Sequence, residues 1–386
     1  MNEISVKQSW RLVRISECCD QISDRVDNPS ESGYARFVGL VHMRTREVSI
    51  REWGSTEEVA SAMKLFKAGD ILVARRNVYL ERAAQADFDG VCSGDAIVLR
   101  AKNMPCMSDL LTFILNTDQF WAYANSEADG SMSKRLTVAR LMDYEFALPP
   151  LEEQKNIAEA LWSSESLKRD YQLCVEKSKT LLHSVINNVA LDTVDRAHLS
   201  EVCSRITSGS RWWAKYYSEQ GDVFFRITNM QRGSIRPQWE DVKYVNAPDT
   251  TEAKRTLVQK EDILVSVTAE LGLVTLVDEY FPTAYVNQHV ALVRPDSKKV
   301  DSKFLAYYLA SPSGFQQFFR FNDYGAKAGM NLQNLGRIEF PNIPISRQQE
   351  ISEQISEFDS VWIQMQVRLE DIIEFQRCMI SKMMVG

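Results

Sequence analysis

An internal duplication is the feature that most constrains how this 386-residue chain folds. The stretch LPPLEEQKNIAEAL (148–161) places two prolines and an acidic first turn ahead of an apolar-periodic segment, which is typical of a helix start. A second version, IPISRQQEISEQI (343–355), occurs near the end of the chain. Ile157 and Ile351 hold the same place in the two versions, 194 residues apart. The sequence therefore predicts that one structural junction occurs twice.

The same spacing continues upstream of the helix starts. Arg100 and Arg294 are also 194 residues apart, and Asp70 and Asp262, in a GDIL and an EDIL segment, are 192 apart. A spacing near half the chain length, held over most of it, predicts two copies of one unit. Each copy has short β-branched runs bounded by Gly, Asp and Asn, followed by helical stretches. We therefore expect an α+β fold with two strand-rich globular domains related by a pseudo-two-fold duplication.

A regular apolar pattern follows each helix start. Steps of four and three residues from Ile157 and from Ile351 trace a seam over four to five heptads, in the same register in both copies. Polar residues interrupt the first seam, so we expect the two helices to pair as an antiparallel, coiled-coil-like spacer that holds the domains a fixed distance apart. The predicted boundaries are 1–148 for the first globular domain, 149–192 for the first spacer helix, 193–342 for the second globular domain and 343–386 for the second spacer helix.

Composition favours a soluble globular protein over disordered, fibrous or membrane classes. The chain is 45% hydrophobic and 25% charged, its apolar runs are short, and its first residues lack the apolar core of a signal peptide. Its seven cysteines form no CxxC pair and its four histidines do not cluster near them, so we expect neither a metal site nor a disulfide framework. A cytoplasmic location with reduced thiols fits best. The net charge of −7 argues against non-specific coating of nucleic acid but is compatible with local basic faces.

Motifs for catalysis are missing from the sequence. It has no phosphate-binding loop, no GxGxxG after a strand, no GxSxG elbow and no His-rich metal motif. The residue types of a metal-dependent nuclease site occur at Asp249, Glu252 and Lys254. In such sites the Asp and the E-x-K residues lie on separate strands, whereas here all three lie in one short polar stretch. A solvated turn or helix start explains them better. We expect no catalytic residue in this chain.

Arginine-rich loops beside strands are the candidate functional feature. The first domain has 13 Arg against 5 Lys, and guanidinium groups bind phosphate and guanine with paired hydrogen bonds. Ser, Thr, Asn and Gln near strand ends also suit base edges and phosphates. The candidate DNA-binding residues of the first domain are Arg36, His42, Arg44, Arg46, Arg51, Arg75, Arg76, Asn77, Tyr79, Lys134 and Arg135. Those of the second domain are Ser208, Ser210, Arg211, Arg226, Thr228, Asn229, Arg232, Arg236, Thr268, Asn287, Gln288, His289, Lys327 and Asn331. Each alone is more simply a surface residue, so the interpretation depends on the recurrence of such clusters in both copies.

Together these segments resemble the specificity subunits of type I restriction-modification systems. The resemblance rests on EFALPPLEEQKNIAEAL, the repeated GDIL-type strand, VFFRITNMQRGSI, EDILVSVT with NQHVALVRP, and GMNLQNLGRIEFPNIP, and it spans nearly the whole chain in order. The chain departs from the pattern at Ser346–Gln349, where SRQQ replaces an LEEQ-type sequence. That departure bears only on how faithfully the second helix start copies the first.

The resemblance implies a non-catalytic subunit in which each globular domain is a target-recognition domain. Each would read one half of a bipartite, asymmetric site in double-stranded DNA, with a fixed spacer between the halves. The helices would bind two adenine methyltransferase subunits, which carry S-adenosylmethionine, and two motor-nuclease subunits using ATP and Mg²⁺ would join where the system restricts DNA. No cofactor is expected on this chain itself. The candidate partner-binding residues are Leu161, Trp162, Tyr171, Leu182, Ile355, Trp362, Met365 and Ile372.

Other interpretations stay open at this point. One is a two-domain adaptor whose coiled coil and domains bind proteins; scattered surface charge, in place of a basic face on both domains, would favour it. Another is the recognition subunit of a related phage-defence modification system with different partners, which the sequence does not separate from the first interpretation. A nuclease would require metal-dependent cleavage by the purified chain.

Overall fold

A computed structural model describes residues 10–102, 107–130, 133–209, 211, 213–322 and 329–385, with side chains through Ser381. The chain divides into two compact units: unit 1 comprises Met1–Gln172 with Val367–Gly386, and unit 2 comprises Leu173–Gln366. Each unit contains one strand-rich domain and parts of two long helices. The α+β class and the duplication predicted from the sequence are confirmed. Among the described residues, no helix is both long and apolar enough to cross a bilayer.

Short strands dominate the domain of unit 1. They are β1 (Arg11–Arg14), β2 (Cys19–Ile22), β3 (Arg25–Val26), β4 (Arg36–Val38), β5 (Gly54–Ser55), β6 (Met63–Phe66), β7 (Ile71–Ala74), β8 (Ala83–Gln85), β9 (Gly90–Cys92), β10 (Ala96–Ala101) and β11 (Glu145–Leu148). A four-stranded sheet has the order β2-β10-β7-β8, and a five-stranded sheet has the order β3-β6-β9-β4-β5. Strands β1 and β11 form a separate antiparallel pair.

Alternation along the strands separates two cores in unit 1. The helices are α1 (Ile15–Cys18), α2 (Met107–Ile114), α3 (Asp118–Ser126), α4 (Val138–Met142) and α5 (Leu151–Asp192), the last of which continues into unit 2. Because successive strand residues point to opposite faces, Ile71 and Val73 of β7 pack with the helices, while Leu72 and Ala74 pack with the five-stranded sheet. The four-stranded sheet is therefore the middle layer between helices and a second sheet.

Unit 2 repeats this topology. Its strands are β12 (Arg196–His198), β13 (Cys203–Ser208), β14 (Tyr217–Ser218), β15 (Asp222–Phe225), β16 (Tyr244–Val245), β17 (Ile263–Ser266), β18 (Val274–Leu276), β19 (Ala284–Val286), β20 (Val290–Pro295) and β21 (Glu339–Pro341). The middle sheet has the order β13-β20-β17-β18, and the outer sheet has the order β14-β16-β15-β19. A parallel pair lies in each outer sheet, β4 with β9 in unit 1 and β15 with β19 in unit 2.

The helices of unit 2 cover the middle sheet as in unit 1. They are α6 (Leu199–Val202), α7 (Thr251–Thr256), α8 (Ser302–Ala310), α9 (Pro312–Arg320), α10 (Leu332–Gly336) and α11 (Ile345–Val385), the last of which continues into unit 1. Ile263 and Val265 of β17 pack on the helix side, and Leu264 packs on the outer sheet. The alternation in β17 thus matches that in β7.

Two residue pairs that the sequence placed in register form the same buried ion pair in both units. Asp70 accepts two hydrogen bonds from the Arg100 guanidinium, at 2.7 and 2.6 Å, and Asp262 accepts two from Arg294, both at 2.7 Å. The two carboxylates are almost fully buried, at 2% and 0% exposure. The pKa of each arginine is raised, and the main cause is its hydrogen bond to the aspartate. Removing one partner would leave an uncompensated buried charge, so these pairs hold the middle sheet to its neighbouring turn.

The proline-led helix starts share one capping contact. The Gln154 side-chain amide donates to the Pro149 carbonyl oxygen at 2.7 Å, and Gln348 donates to the Ile343 carbonyl oxygen at 2.8 Å. Both glutamines are buried, and their positions differ by the same 194 residues as Ile157 and Ile351. The second helix start therefore keeps the residue that ties it to the preceding strand.

The long helices pair antiparallel within each unit. They contain 42 and 41 residues, which at about 1.5 Å per residue corresponds to about 60 Å each. In unit 1, Leu161 near the start of α5 shares a core with Met379 near the end of α11. In unit 2, Ile186 near the end of α5 shares a core with Ile355 near the start of α11. The seam is less regular than predicted, since Phe358 is 45% exposed.

Candidate nucleic-acid interface

Two loops that carry predicted site residues meet in unit 1. The loop after β7 and the loop before α4 are joined by an isolated antiparallel bridge between Arg76 and Arg135. The Asn77 amide donates to the Lys134 carbonyl oxygen at 2.9 Å. Here the structure brings together residues that lie almost 60 positions apart in the sequence. The first loop cluster is defined as Arg75, Arg76, Asn77, Asp95, Lys134 and Arg135.

Asp95 sets the charge of the first loop cluster. Its carboxylate lies 3.6 Å from Arg76 Nη1 and 3.5 Å from Arg135 Nη2, and these two arginine side chains are 48% and 47% exposed. Ion pairs of this length and exposure are weak. Two guanidiniums therefore share one carboxylate and keep a net positive charge toward solvent, which suits phosphate or a guanine edge.

The backbone and a serine orient the Arg76 side chain. Asn77 adopts a left-handed conformation with φ of 55°, which asparagine tolerates better than most residues. Its Oδ1 accepts a hydrogen bond from the Ser133 hydroxyl at 3.0 Å, and Ser133 Oγ in turn accepts one from Arg76 Nε at 3.1 Å. Tyr79, 60% exposed, follows in the same loop. Arg76 is therefore held by its Nε atom at Ser133, while its Nη1 atom lies 3.6 Å from Asp95.

Unit 2 places its equivalent loops in the same frame. The Met330 amide donates to the Val267 carbonyl oxygen at 2.9 Å, and Thr268 and Gly329 form an isolated bridge. The Val267 amide donates to the His289 carbonyl oxygen at 2.9 Å, as the Arg75 amide donates to the Asp95 carbonyl oxygen at 2.9 Å in unit 1. The second loop cluster is defined as Thr268, Asn287, Gln288 and His289.

A polar chain runs through the second loop cluster. Gln288 Nε2 lies 2.9 Å from His289 Nε2, and His289 Nδ1 lies 2.5 Å from Thr268 Oγ1. With the amide nitrogen donating to Nε2, the ring proton is on Nδ1 and is donated to the threonine hydroxyl. Asn287 is 7% exposed, and its Oδ1 accepts a hydrogen bond from the His289 amide at 3.0 Å. The cluster offers neutral donors and acceptors rather than charge.

Equivalent positions in the two clusters therefore carry different chemistry. Arg76 corresponds to Thr268, because each follows a residue, Arg75 or Val267, whose carbonyl oxygen accepts a hydrogen bond from the facing loop. Asp95 corresponds to His289, because each directly precedes a central strand of the middle sheet, β10 or β20. The sequence interpretation included His289 but missed Asp95. The offset of 194 residues would have found it, because 95 and 289 differ by that number.

A glycine holds another predicted segment against the second loop cluster. The Gly209 amide donates to the Val290 carbonyl oxygen at 3.1 Å, and a Cβ atom at Gly209 would lie 1.9 Å from the Asn287 carbonyl oxygen. Only glycine fits there, so Ser208 and the exposed Arg211 lie on either side of this close contact. Arg255, which the sequence interpretation did not include, donates to the Ser208 carbonyl oxygen at 2.8 Å. Two further predicted residues, Ser210 and Lys327, lie outside the described residues.

Two predicted site residues are capping residues of equivalent turns. In the 3-10 turn Leu40–His42, His42 Nδ1 accepts a hydrogen bond from the Gly39 amide at 3.0 Å. In the turn Ile227–Asn229, Asn229 Oδ1 accepts one from the Arg226 amide at 3.0 Å, and Asn229 is fully buried. These contacts explain both residues without a ligand. Asn331 likewise caps α10, because its Oδ1 accepts a hydrogen bond from the Asn334 amide at 2.8 Å.

Most predicted arginines outside the loop clusters have partners within their own unit. Arg36 lies over the rings of Trp53 and Phe88, at 4.3 and 4.5 Å from the ring centroids. The others bind carboxylates: Arg44 binds Glu52, Arg46 binds Glu81 and Asp118, Arg51 binds Glu165, Arg226 binds Asp241, Arg232 binds Glu270 and Arg236 binds Asp359. Thr228, in contrast, is exposed. A high arginine content therefore overstates the number of arginines available to a ligand.

The predicted partner-binding residues divide between core and surface. Leu161, Leu182, Ile355 and Trp362 are buried within their units, which leaves them almost no surface for a partner, whereas Trp162, Tyr171, Met365 and Ile372 are half-buried. Exposed apolar residues on the helices are instead Leu151, Leu167, Leu173, Leu181, Leu191, Phe358, Val361, Val367 and Phe375. The core residues face inward because the periodic seam that identified them is the buried face of each helix.

Asp249, Glu252 and Lys254 lie at a helix start, as the sequence indicated. Thr250 caps α7 by accepting a hydrogen bond from the Ala253 amide, and Lys254 lies 2.8 Å from Asp249 in a solvent-exposed ion pair. Within the described ranges, no group of three or more His, Cys, Asp or Glu side chains is placed to hold a metal ion.

Comparison with known proteins supplies the family. The type I restriction modification DNA specificity domain matches residues 10–168 and 199–374, one match in each copy of the duplication. The specificity subunit of the type I restriction enzyme MjaVIII from Methanocaldococcus jannaschii is 22% identical over 354 residues, covering 81% of this chain and 77% of that protein.

Solved structures share the fold. The S subunit of a type I restriction-modification system from M. genitalium aligns over 100% of this chain and 97% of its own, with a TM-score of 0.65 and 14% identity. A chain from a study of complex assembly and conformational transition of the type I restriction-modification system aligns over 99% of both chains, with a TM-score of 0.56 and 18% identity. Since the family match covers both halves of the duplication, this chain belongs to the specificity subunits of type I restriction-modification systems.

Proposed function

We propose that this chain is the DNA-reading subunit of its system and that it is not itself catalytic. The first loop cluster would contact one half of a bipartite, asymmetric site in double-stranded DNA, and the second loop cluster would contact the other half. The observation that carries this proposal is the equivalence of the two clusters, which share one backbone frame but present different side chains. The pair Arg76 and Asp95 in unit 1 stands where Thr268 and His289 stand in unit 2.

The chemistry of the clusters supports two different half-sites. A guanidinium fork is suited to the O6 and N7 acceptors of guanine, and Arg76 and Arg135 are exposed enough to reach a groove. The imidazole, hydroxyl and amide groups of the second loop cluster can both donate and accept, so they suit base edges with a mixed pattern. Phosphate contacts from Lys134 and Arg211 would position the domains without adding sequence information.

The partners we propose are two adenine methyltransferase subunits bound to the helices. S-adenosylmethionine would be held by those subunits, and ATP with Mg²⁺ by two motor-nuclease subunits where the system restricts DNA. The exposed apolar side chains of Leu167 and Phe375 line one groove in unit 1 together with Tyr171 and Ile372. Exposed apolar residues of this kind favour contact with another protein. The complex would act in the cytoplasm.

Methylome sequencing tests the proposal. We would express the chain with the adenine methyltransferase subunit of its own system in a host without other adenine methylation, and read the methylated motif. Arg76→Ala should relax or abolish recognition at one half-site, and Thr268→Ala combined with His289→Ala should affect only the other. The proposal fails if no bipartite motif is methylated, or if both sets of variants alter the same half.

Helix length provides an independent test of the spacer. Four residues inserted after Lys177, matched by four inserted after Met365 on the partner helix, should lengthen the spacer between the half-sites and leave the bases read unchanged. The matched insertion is required because Ser178 Oγ contacts Met365 Sδ at 3.7 Å, so an insertion in one helix alone would break the pairing. Changed half-site bases would contradict independent reading by the two domains.

The isolated chain should bind DNA weakly and with strong salt dependence. Its net charge of −7 opposes a polyanion, and only local clusters offer positive charge. We expect sequence specificity to appear when the methyltransferase is added, measured by fluorescence anisotropy at several salt concentrations. Tight, specific binding by the isolated chain at physiological salt would contradict the proposal that specificity requires the methyltransferase.

A further inference from the structure

Two buried carboxylates occupy equivalent positions on the long helices. Glu165 on α5 and Asp359 on α11 are 194 residues apart, and each lies eight residues after the isoleucine that begins the apolar seam. Their side chains are only 4% and 5% exposed. A buried carboxylate is costly unless it is paired, so the recurrence of one at this position in both copies requires an explanation.

An arginine from the strand-rich domain of the same unit binds each carboxylate. Arg51 Nη2 lies 2.8 Å from Glu165 Oε1, and Arg236 Nε lies 3.0 Å from Asp359 Oδ2. These were two of the candidate DNA-binding arginines, yet both turn toward the helix. The latch pairs are defined as Arg51 with Glu165 and Arg236 with Asp359.

Other polar groups complete the surroundings of each carboxylate. Lys168 Nζ and the Gln376 side-chain amide lie 2.5 and 3.2 Å from Glu165 Oε2. Near Asp359, burial is the main cause that raises the pKa of the Tyr307 phenol, and the negative charge of Asp359 adds to it. The polar groups around Glu165 and Asp359 therefore differ, but each carboxylate binds one arginine from the strand-rich domain.

The segment that carries each latch arginine is fixed at the edge of the middle sheet. Ile50, directly before Arg51, donates its amide to the carbonyl oxygen of Gln85 in β8 at 3.0 Å. Ile235, directly before Arg236, accepts a hydrogen bond from the amide of Leu276 in β18 at 2.8 Å. Strands β8 and β18 are the equivalent edge strands of the two middle sheets. Each arginine therefore connects a rigid sheet edge to the long helix.

We propose that the latch pairs are positioning devices: Arg51 and Arg236 fix the orientation of each recognition domain on its helix and thereby enforce a single spacer length in the DNA site. This inference rests on the proposed reading of a bipartite site. The capped turns with His42 and Asn229 precede the latch arginines by only nine and seven residues, so the latch acts on the chain segment next to the outer sheet. Neither arginine touches the DNA in this scheme.

Apolar packing alone could hold a domain on a helix, which is why orientation is the distinguishing property. Replacing a buried ion pair with apolar residues of similar size is often neutral or stabilising, whereas removing one partner is not. Apolar contact is non-directional. The charge-assisted hydrogen bond from Arg51 to Glu165, or from Arg236 to Asp359, constrains direction as well as distance. A double variant lacking both charges should therefore recover stability but not spacer fidelity.

The first experiment measures orientation directly, without DNA. In a full-length chain whose exposed Cys174 and Cys378 are replaced by serine, spin labels at Val41 and Glu159 report the distance between the domain and α5 in unit 1. The distance distribution should be narrow with Arg51 present and broad in Arg51→Met. Arg140→Met is the control, because it removes a surface ion pair with Glu127 in the same unit and should leave the distribution narrow. An unchanged distribution in Arg51→Met would overturn the inference.

The second experiment measures spacer fidelity in the methyltransferase complex. Long-read methylome sequencing should show one spacer length for the unaltered chain. In Arg236→Met and in Arg236→Met with Asp359→Leu, the ratio of correct-spacer to neighbouring-spacer methylation should fall at least about tenfold, since misplacements near 1 Å change such rates by up to about 10²-fold. Half-site bases should stay unchanged.

Controls separate the possible failures. Arg140→Met removes a surface ion pair with Glu127 and should keep the original spacer ratio. If the unaltered chain yields no bipartite motif, the proposed function fails, while the spin-label result still decides the orientation claim. If it yields one and the double variant keeps strict spacing, the latch inference is wrong and the pairs serve stability alone.

Discussion

Removing the Asp95 carboxylate should strengthen DNA binding by the first loop cluster while weakening its discrimination. Asp95→Asn preserves the shape of the side chain and changes the cluster from two guanidiniums sharing one negative charge to two without it. The pairs are 3.6 and 3.5 Å long, and about half of each arginine side chain is exposed. The carboxylate therefore restrains both arginines only weakly, and a polyanion competes with it.

The magnitude follows from counting charges. Each exposed pair contributes about 0.2–1 kcal/mol, so the folded state should lose no more than about 2 kcal/mol. The trio changes from one net positive charge to two, which allows about one more phosphate contact. One contact makes the slope of log K against log salt steeper by about 0.9, which is an additional loss of affinity of about 3.5-fold between 50 and 200 mM salt.

The assay is fluorescence anisotropy of the methyltransferase complex on cognate and scrambled duplexes over that salt range. Asp20→Asn is a matched control, because Asp20 also forms a 3.5 Å surface pair, with Lys102, and changes the net charge equally. Asp20 lies opposite Arg100 in the β2–β10 ladder, near the end of β10, whereas Asp95 directly precedes the start of that strand. We expect the steeper slope and a lower cognate-to-scrambled ratio for Asp95→Asn alone. Equal slopes in the two variants would refute the assignment of the first loop cluster to DNA.

Three further outcomes are expected. Gly209→Ala should lower the free energy of unfolding, measured in urea, by about 1–3 kcal/mol and should impair recognition of the second half-site, because its Cβ would lie 1.9 Å from a backbone oxygen. Gly94→Ala is the control: a Cβ there meets nothing within 4 Å, so the free energy of unfolding should change by less than about 0.5 kcal/mol. Alkylation at pH 8, read by mass spectrometry, should modify the exposed Cys174 and Cys378 but not Cys92. Burial raises the pKa of the Cys92 thiol to about 12, so only about one in ten thousand of these thiols is ionised at that pH. Rapid labelling of Cys92 in the folded chain would contradict its burial. Phe375→Ser, at a side chain 59% exposed, should reduce co-purification of the methyltransferase without lowering the urea midpoint, and an unchanged yield would exclude this residue from the docking surface.

The sequence alone determined the architecture well because duplication is a long-range signal. The 194-residue offset predicted two equivalent units, and the paired positions Asp70 and Asp262 do form the same buried ion pairs with Arg100 and Arg294. Helix starts were also predictable, since proline, acidic residues and apolar period act locally. Strand pairing was not predictable, because the order β2-β10-β7-β8 depends on contacts between distant segments.

Individual site residues were harder to predict because a side chain's direction depends on its tertiary neighbours. Arg51 and Arg76 look alike in the sequence, yet the first turns toward a buried glutamate on the helix and the second stays half exposed. His42, a predicted DNA-binding residue, accepts a hydrogen bond from the Gly39 amide in a turn, a contact that its sequence did not indicate. Leu161 and Leu182 followed the helical period and are core residues, since the period marks the buried face. Residue type narrows the possible partners, but only the fold selects among them.

The two copies share some side-chain contacts and differ at the positions that we propose contact DNA. The buried ion pairs and the helix-start glutamines occur in both units with closely similar contacts, and each unit has one latch arginine bound to a buried carboxylate. The positions of Arg76 and Asp95 keep their backbone hydrogen bonds in unit 2 but exchange a charged pair for Thr268 and His289. Two domains that read different half-sites need different side chains on a shared backbone frame. Exchanging these side chains between the units should therefore transfer base preference without unfolding either domain, whereas exchanging Glu165 and Asp359 should alter only the fit of the domain on its helix.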